Sequence, residues 1–116
     1  MDEFTDYLSS LRDRYPETQL EAIFHAVVYL QVLTGVRKLP AVGPMDDVFL
    51  LTWDCDKEVF DIEVDSAGRF EWFYRNRATD QVDGVEAFEE GLSVALVARA
   101  FQVLSRAAVQ PAKMAP

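Results

Sequence analysis

The sequence is short of nearly every residue on which metal and catalytic motifs are built. Its one cysteine, Cys55, excludes an internal disulfide and any multi-cysteine zinc site. Its one histidine, His25, excludes two-histidine metal motifs and catalytic histidine pairs. Basic residues are scarce too. Eleven Lys and Arg face 20 Asp and Glu, and the resulting net charge of −9 repels nucleic acid and anionic lipid over most of a folded surface. General binding to a phosphate backbone is therefore not expected. Long apolar runs are also missing: the richest windows, Ala22 to Leu33 and Leu92 to Leu104, fall short of the ~20 residues that span a bilayer. Polar residues interrupt both, His25 and Gln31 in the first and Arg99 in the second. No membrane span is expected. The opening Met-Asp-Glu-Phe-Thr-Asp lacks the basic start and apolar core of a signal peptide, so with a free cysteine the expected compartment is the cytoplasm.

What is present suits one domain: 116 residues, half of them apolar and 12% aromatic. The expected domain covers residues 1–108. Residues 109–116, with two prolines and no apolar period, are expected to be a disordered tail.

Phe4, Tyr7, Leu8, Leu11 and Tyr15 recur at spacings of three and four, which predicts an amphipathic helix from Asp2 to Arg14. Pro16 ends it. Thr18 followed by Glu21 has capping-box spacing for a second helix, which runs to Thr34 with Gly35 at its left-handed terminus. Pro40, Gly43 and Pro44 then argue against regular structure.

From Asp47 to Arg77 the apolar period falls to two, and three strands fit: Val48–Trp53, Glu58–Asp65 and Arg69–Asn76. A three-residue turn, Ser66-Ala67-Gly68, pairs Val64 with Phe70 and Ile62 with Trp72, placing every large apolar group on one face. A four-residue loop, Asp54 to Lys57, would let Phe49 and Leu51 meet Ile62 and Phe60. After a polar connector from Ala78 to Gly84, with Asp83 and Glu86 spaced as a cap, a last helix is expected over Val85 to Ala108, with a possible break at Gly91. The expected fold is α+β: two N-terminal helices, a three-stranded antiparallel meander and a C-terminal helix, with the helices packed on one sheet face.

The second and last helices are apolar around nearly their whole circumference, and such a helix must be buried on more than one side. One three-stranded sheet offers a single apolar face, so a homodimer is expected, with Phe24, Val28, Leu96 and Phe101 as interface candidates.

Between Asp46 and Asp65 lie eight acids against one lysine, a local charge of −7. Asp54, Asp56 and Glu58 alternate as at the start of a calcium loop, but the following glycine and distal glutamate are missing. A solvated hairpin rim is the simpler reading. On the outer sheet face the register sets Glu63 against Glu71, and opposed acids are unfavourable unless wet or covered by a basic partner. Trp72 to Arg77 mixes aromatics with arginines in the manner of single-strand binders, but alternation buries Trp72 and Tyr74 and leaves only Phe73 outside. Gly91-Leu92-Ser93-Val94-Ala95 has the start of a nucleophile elbow without its last glycine or a downstream histidine. His25, on an apolar helix, fits a hydrogen-bonded core or interface residue better than a catalytic base. Cys55, between Asp54 and Asp56, is expected to have a raised thiol pKa and no thiolate chemistry.

Val48-Phe49-Leu50-Leu51-Thr52-Trp53, then Phe60 to Arg69 with its acidic alternation and aspartate-to-glycine turn, resembles a pattern in small uncharacterised bacterial and phage or mobile-element proteins. The likeness covers about 30 residues, in a strand-and-hairpin pattern that brings no catalytic residues with it. It implies an accessory protein of the inhibitor, antitoxin or immunity type.

Together these features lead to an expected non-enzymatic, acidic protein-interaction module with no cofactor. Its docking candidates are Asp54, Asp56, Glu58, Asp61, Glu63, Asp65, Glu71, Phe73, Arg75 and Arg77. A protein partner that is basic or DNA-binding is expected, met in one variant by imitating DNA charge. The alternative is a small ligand-binding protein or enzyme with a pocket between sheet and helices, using Tyr29, Trp53, Trp72 and His25.

Overall fold

The computed structural model describes residues 2–108, so the expected tail at 109–116 lies outside the described residues. Helix α1 spans Asp2–Ser10 and α2 spans Glu17–Thr34. Five strands follow, β1 (Ala41–Met45), β2 (Val48–Cys55), β3 (Glu58–Val64), β4 (Phe70–Asn76) and β5 (Val82–Glu89), then α3 (Val94–Ala108). All neighbouring strands are antiparallel, in the order β1-β2-β3-β4-β5. The expectation of three strands is thus corrected: the fold is α+β with the helices on one face, but each end of the sheet carries one further strand.

Both extra strands lie where breaker residues or polar sequence had argued against them. β1 contains Gly43 and Pro44, and Pro44 faces Phe49 in the β1–β2 ladder. An edge strand tolerates proline because its outward amide needs no partner. At the other edge, β5 pairs irregularly with β4 opposite Phe70 and Trp72, and its apolar residues Val82, Val85 and Phe88 fall at a helix-like spacing of three, Val82 facing Arg75 and Val85 facing Trp72 on opposite sides of the strand. The last helix consequently begins at Val94, not Val85. Gly91, at φ 74°, lies before it, so the question of a break inside the helix does not arise. Ser93 caps α3, its Oγ accepting the Leu96 amide at 3.1 Å. No Asp83–Glu86 cap forms, since both residues belong to β5.

Two other boundaries differ. α1 ends at Ser10, and i→i−3 bonds from Leu11 to Leu8 and from Arg14 to Leu11 tighten the chain into turns ahead of Pro16. This brings Tyr15 edge-on to Phe49, with ring centroids 4.7 Å apart. At the start of α2, Pro16 occupies the cap position with no side-chain cap bond, so the Thr18–Glu21 capping box is not made. Gly35 does take the left-handed position at φ 72°, its amide donating to Gln31 O.

The β3–β4 register is the expected one, Val64 facing Phe70, Ile62 facing Trp72 and Glu63 facing Glu71. The β2–β3 register is two residues away from the expected one: Phe49 meets Val64, Leu51 meets Ile62 and Trp53 meets Phe60. The turn is only Asp56-Lys57, with Asp56 at φ 65°, so β2 continues to Cys55. A shift of two preserves the faces. Phe49, Leu51, Trp53, Phe60, Ile62, Val64, Phe70, Trp72 and Tyr74 therefore all lie under the helices, packed with Leu8, Ile23, Val27, Leu30, Leu96, Ala100 and Val103 in one core.

Candidate docking face

The helices cover one face of the sheet, and among the described residues no element covers the other. Row by row across the strands, that face carries Leu50, Glu63 and Glu71, then Thr52, Asp61 and Phe73, then Asp54, Val59 and Arg75. Alternation alone puts them there, since each follows or precedes a core residue of the same strand. Apart from the exposed Asp54 and Arg75, these side chains are half-buried by their own neighbours.

The electrostatics of this face are unbalanced at its centre. Glu63 and Glu71 are direct cross-strand partners. Burial, then the charges of Glu71 and Asp61, push the Glu63 carboxyl above its ordinary range, and its hydrogen-bond contact with Glu71 adds to the rise. Burial also raises Asp61, against a hydrogen bond from Thr52, with the charge of Asp54 contributing. One Asp61 oxygen is buried without a hydrogen-bond partner among the described residues. None of the three acids has an ion-pair partner among the described residues. Their arrangement is not that of a metal centre, since no three His, Cys, Asp or Glu side chains in the described part are placed to hold an ion.

The cations of the rim are committed elsewhere. Arg77 forks onto Asp54, with Nη1 and Nη2 each 2.9 Å from a carboxylate oxygen, and its Nη1 also donates to Asp56 O. That hydrogen bond holds Asp54 below the usual carboxylate range. Arg75 reaches Asp80 at 3.6 Å.

Two of the expected docking residues do not belong to this face. Glu58 has the parity of Phe60 and points under α3, where its carboxylate is buried. Asp65 is folded into the β3–β4 turn: Oδ1 accepts the amides of Ala67 and Arg69, and Oδ2 accepts Arg69 Nε at 2.9 Å. Asp61, Glu63, Glu71 and Phe73 are brought together at the centre, with Asp54, Asp56, Arg75 and Arg77 along one margin.

Among the interface candidates, Leu96 is 1% exposed and sits in the core, so it is removed from any contact with a second chain. Phe24 and Phe101 are exposed and Val28 is half-buried. The pocket imagined between sheet and helices is not formed from the four residues suggested for it. Trp53 and Trp72 are packed in the core, whereas Tyr29 and His25 stack on the outer side of α2 with ring centroids 6.4 Å apart. His25 is exposed and not a core residue. An open groove of about 750 Å³ does run beside α2, with Leu8, Leu20 and Phe70 among its apolar walls and Arg12, Glu17, Glu21 and His25 giving it charges of both signs. The Cys55 thiol is pushed up, first by burial, with Asp54 and Glu58 adding to the rise. Ser93, suspected in a nucleophile-like run, has its Oγ occupied as the cap of α3.

Sequence reasoning passed over Gln19. Buried among apolar side chains, its Nε2 donates to Val64 O at 3.0 Å and Asp47 O at 3.1 Å, fastening α2 to the end of β3 and the β1–β2 turn. A polar residue on the buried stripe of α2, one turn before Ile23, was the available signal.

Comparison with family models, curated proteins and solved structures finds no match to this chain. No helix among the described residues is long and apolar enough to cross a membrane.

Proposed function

We propose that this chain is a non-enzymatic protein-interaction module of the cytoplasm that docks a cationic protein segment on its uncovered sheet face. The observation that carries the reading is the set of three carboxylates, Asp61, Glu63 and Glu71, at the half-buried centre of that face, with no ion-pair partner among the described residues. Like charges placed directly across a ladder are destabilising in the free protein. A Lys or Arg side chain entering between Glu63 and Glu71 would relieve that repulsion, and Leu50, Val59 and Phe73 around it would bury apolar surface against the same partner. Interfaces gain most from such an apolar centre with a few oriented polar groups.

The same face argues against imitation of DNA as the basis of docking. A phosphate backbone is an unbroken row of negative charge. Here the acids form a small patch flanked by Leu50, Val59 and Phe73, not a row, and Arg75 and Arg77 stand at the margin. An accessory role of the inhibitor or immunity type remains compatible with a cationic protein partner.

The test is titration of a Lys- and Arg-rich peptide, followed by calorimetry at two salt concentrations. Binding should weaken with salt, and Glu63→Gln with Glu71→Gln should raise the dissociation constant about tenfold or more. Neutralising Glu86 and Glu90 instead, at and beyond the β5 edge, should change it far less. Equal losses from both pairs would mean bulk charge attraction and would overturn the assignment to this face.

A further inference from the structure

We propose that Asp83 and Gly84 of β5 form a site of self-modification, where the Gly84 amide nitrogen attacks the Asp83 carboxyl and the chain isomerises through a succinimide to isoaspartate. The sequence holds no other Asp-Gly pair and no Asn-Gly pair. Glycine matters at the second position because any side chain there would crowd the attacking nitrogen. The structure adds position: the Gly84 amide donates to Asp83 Oδ1 at 2.8 Å. An oxygen held there sets its carboxyl carbon beside the same nitrogen, and such placement removes much of the entropic barrier to ring closure. Both residues are exposed, so water reaches them. Asp65, followed by the small Ser66, differs. Its Oδ1 accepts the amides of Ala67 and Arg69, further along the chain.

The atoms balance with water alone. The Gly84 nitrogen bonds to Cγ of the neutral carboxyl, and the carboxyl hydroxyl leaves as water, taking up through solvent the proton that the nitrogen gives up. Water then opens the five-membered ring at either carbonyl. Attack at Cγ restores aspartate. Attack at the backbone carbonyl of Asp83 gives isoaspartate, in which the chain runs through Cβ and Cγ, one methylene longer, and the carboxylate sits directly on Cα.

The fold keeps the glycine in place and restrains the reaction. Gly84 has φ 150°, a conformation that residues with side chains rarely adopt, and a Cβ there would lie 2.6 Å from Trp72 O. Asp83 Oδ2 pairs with Arg99 of α3 at 2.8 Å. The other group facing Asp83 is the Tyr74 phenol across the ladder, which stays neutral. An ionised carboxylate has no hydroxyl to lose, so the reaction draws on the neutral fraction, and Arg99 makes that fraction small. Isomerisation would in turn fall on Arg99. The carboxylate moves away from the position where Arg99 meets it, and the extra methylene enters β5 between the pairs Val82–Arg75 and Val85–Trp72. The chain thus carries an irreversible loosening of the β5 edge from α3, independent of any docking on the uncovered face.

Ageing of the full, folded chain for weeks at physiological temperature tests the proposal. Labelling with an isoaspartyl methyltransferase, followed by peptide mapping, reads the product. Label should gather at Asp83 ahead of every other aspartate, preceded by a species lighter by one water, and faster in mildly acid than in neutral buffer. Arg99→Gln should speed the reaction about threefold or more at neutral pH by releasing the neutral carboxyl. That variant should also react faster folded than in urea, since only the folded chain holds nitrogen and carboxyl together. Asp83→Glu, which would have to close a six-membered ring, should stay unlabelled at this position. The labelled fraction should unfold at a lower temperature than the fresh chain. If Arg99→Gln does not fold, the acid-to-neutral comparison on the native chain decides. Label that gathers first elsewhere, a native rate that does not rise on acidification, or a folded Arg99→Gln no faster than the native chain would overturn the proposal.

Discussion

Tyr74 Oη donates to Glu58 Oε2 across 2.6 Å on the helix-covered face of the sheet. The same oxygen accepts Gln102 Nε2 at 3.2 Å and Arg106 Nη1 at 2.9 Å, both from α3. Arg99 lies 4.0 Å over the Tyr74 ring and pairs with Asp83 of β5 at 2.8 Å. One buried carboxylate and one ring therefore tie the last helix to three places on the sheet. Burial and the bond to Glu58 both push the Tyr74 phenol above its ordinary value, so it serves as a donor at any physiological pH.

The members of this network should differ in cost. Tyr74→Phe removes one donor and leaves Glu58 with two others, so a loss of about 1 kcal/mol is expected. Glu58→Ala strands the Tyr74 hydroxyl and opens space beneath α3, and about 2–4 kcal/mol is expected. Arg106→Ala should cost less than either, because the guanidinium is 57% exposed and its pair is screened. Urea unfolding of the three variants checks the order. An Arg106 effect larger than that of Glu58 would contradict it.

Stability should rise when the pH is lowered from neutral into the mildly acid range. In the unfolded chain Glu63 and Asp61 titrate near 4.5 and 3.8, and folding raises both. Between the ordinary and the raised values the native state holds more protons than the unfolded one, so stability falls as pH increases through that window. Asp54 and Asp83 behave oppositely: bonds from Arg77 and Arg99 hold them low, and their contribution is lost as pH falls below the ordinary range. General repulsion within an acidic chain adds to the first effect. The discriminating measurement is denaturation of Asp61→Asn with Glu63→Gln across the same range, where the rise should shrink relative to the native chain.

How far the sequence disclosed this structure can be traced residue by residue. Phe60, Ile62, Val64 and Phe70, Trp72, Tyr74 alternate without interruption, so both the buried face and the Glu63–Glu71 opposition were legible. Parity also placed Glu58 inward, and only its inclusion in an acidic run drew it to the wrong face. The edges were hidden for a different reason. Pro44 is acceptable because β1 is an edge strand among the described residues, and Val82 and Val85 lie on opposite faces of β5, so that their spacing of three marks no helix stripe. Both facts are properties of the finished sheet, not of local propensity. The exposed apolar side chains of α2 and α3 were likewise foreshadowed by apolar excess, but which of them escape the core could not be read from a helix apolar on every side.

Gly68, in the β3–β4 turn, should resist replacement by alanine. It sits at φ 79°, and a Cβ there would lie 3.1 Å from Thr18 O, a backbone atom at the start of α2. The left-handed conformation alone costs a side-chain-bearing residue about 1–2 kcal/mol, and the contact adds to it. Gly43, without a positive φ and with open space around its Cα, is the control. Thermal unfolding should show a clear loss for Gly68→Ala and almost none for Gly43→Ala.

Gln19→Glu offers a sharper test of how α2 is fixed to the sheet. The native amide donates to Val64 O and Asp47 O, while its Oε1 is buried with no partner among the described residues. Glutamate keeps the shape but, when ionised, has no proton to give, so a negative charge would face two carbonyl oxygens in an apolar setting. About 3 kcal/mol or more should be lost at neutral pH, as expected for a buried polar group left uncompensated. Protonation restores one donor, and the variant's own carboxyl would be driven far upward by burial. Its deficit relative to the native chain should therefore narrow as the medium is acidified. Gln19→Leu removes the amide without adding a charge, and its loss should be constant over the same pH range. Parallel curves for the two variants would show that Gln19 acts by volume alone and that its two hydrogen bonds contribute nothing.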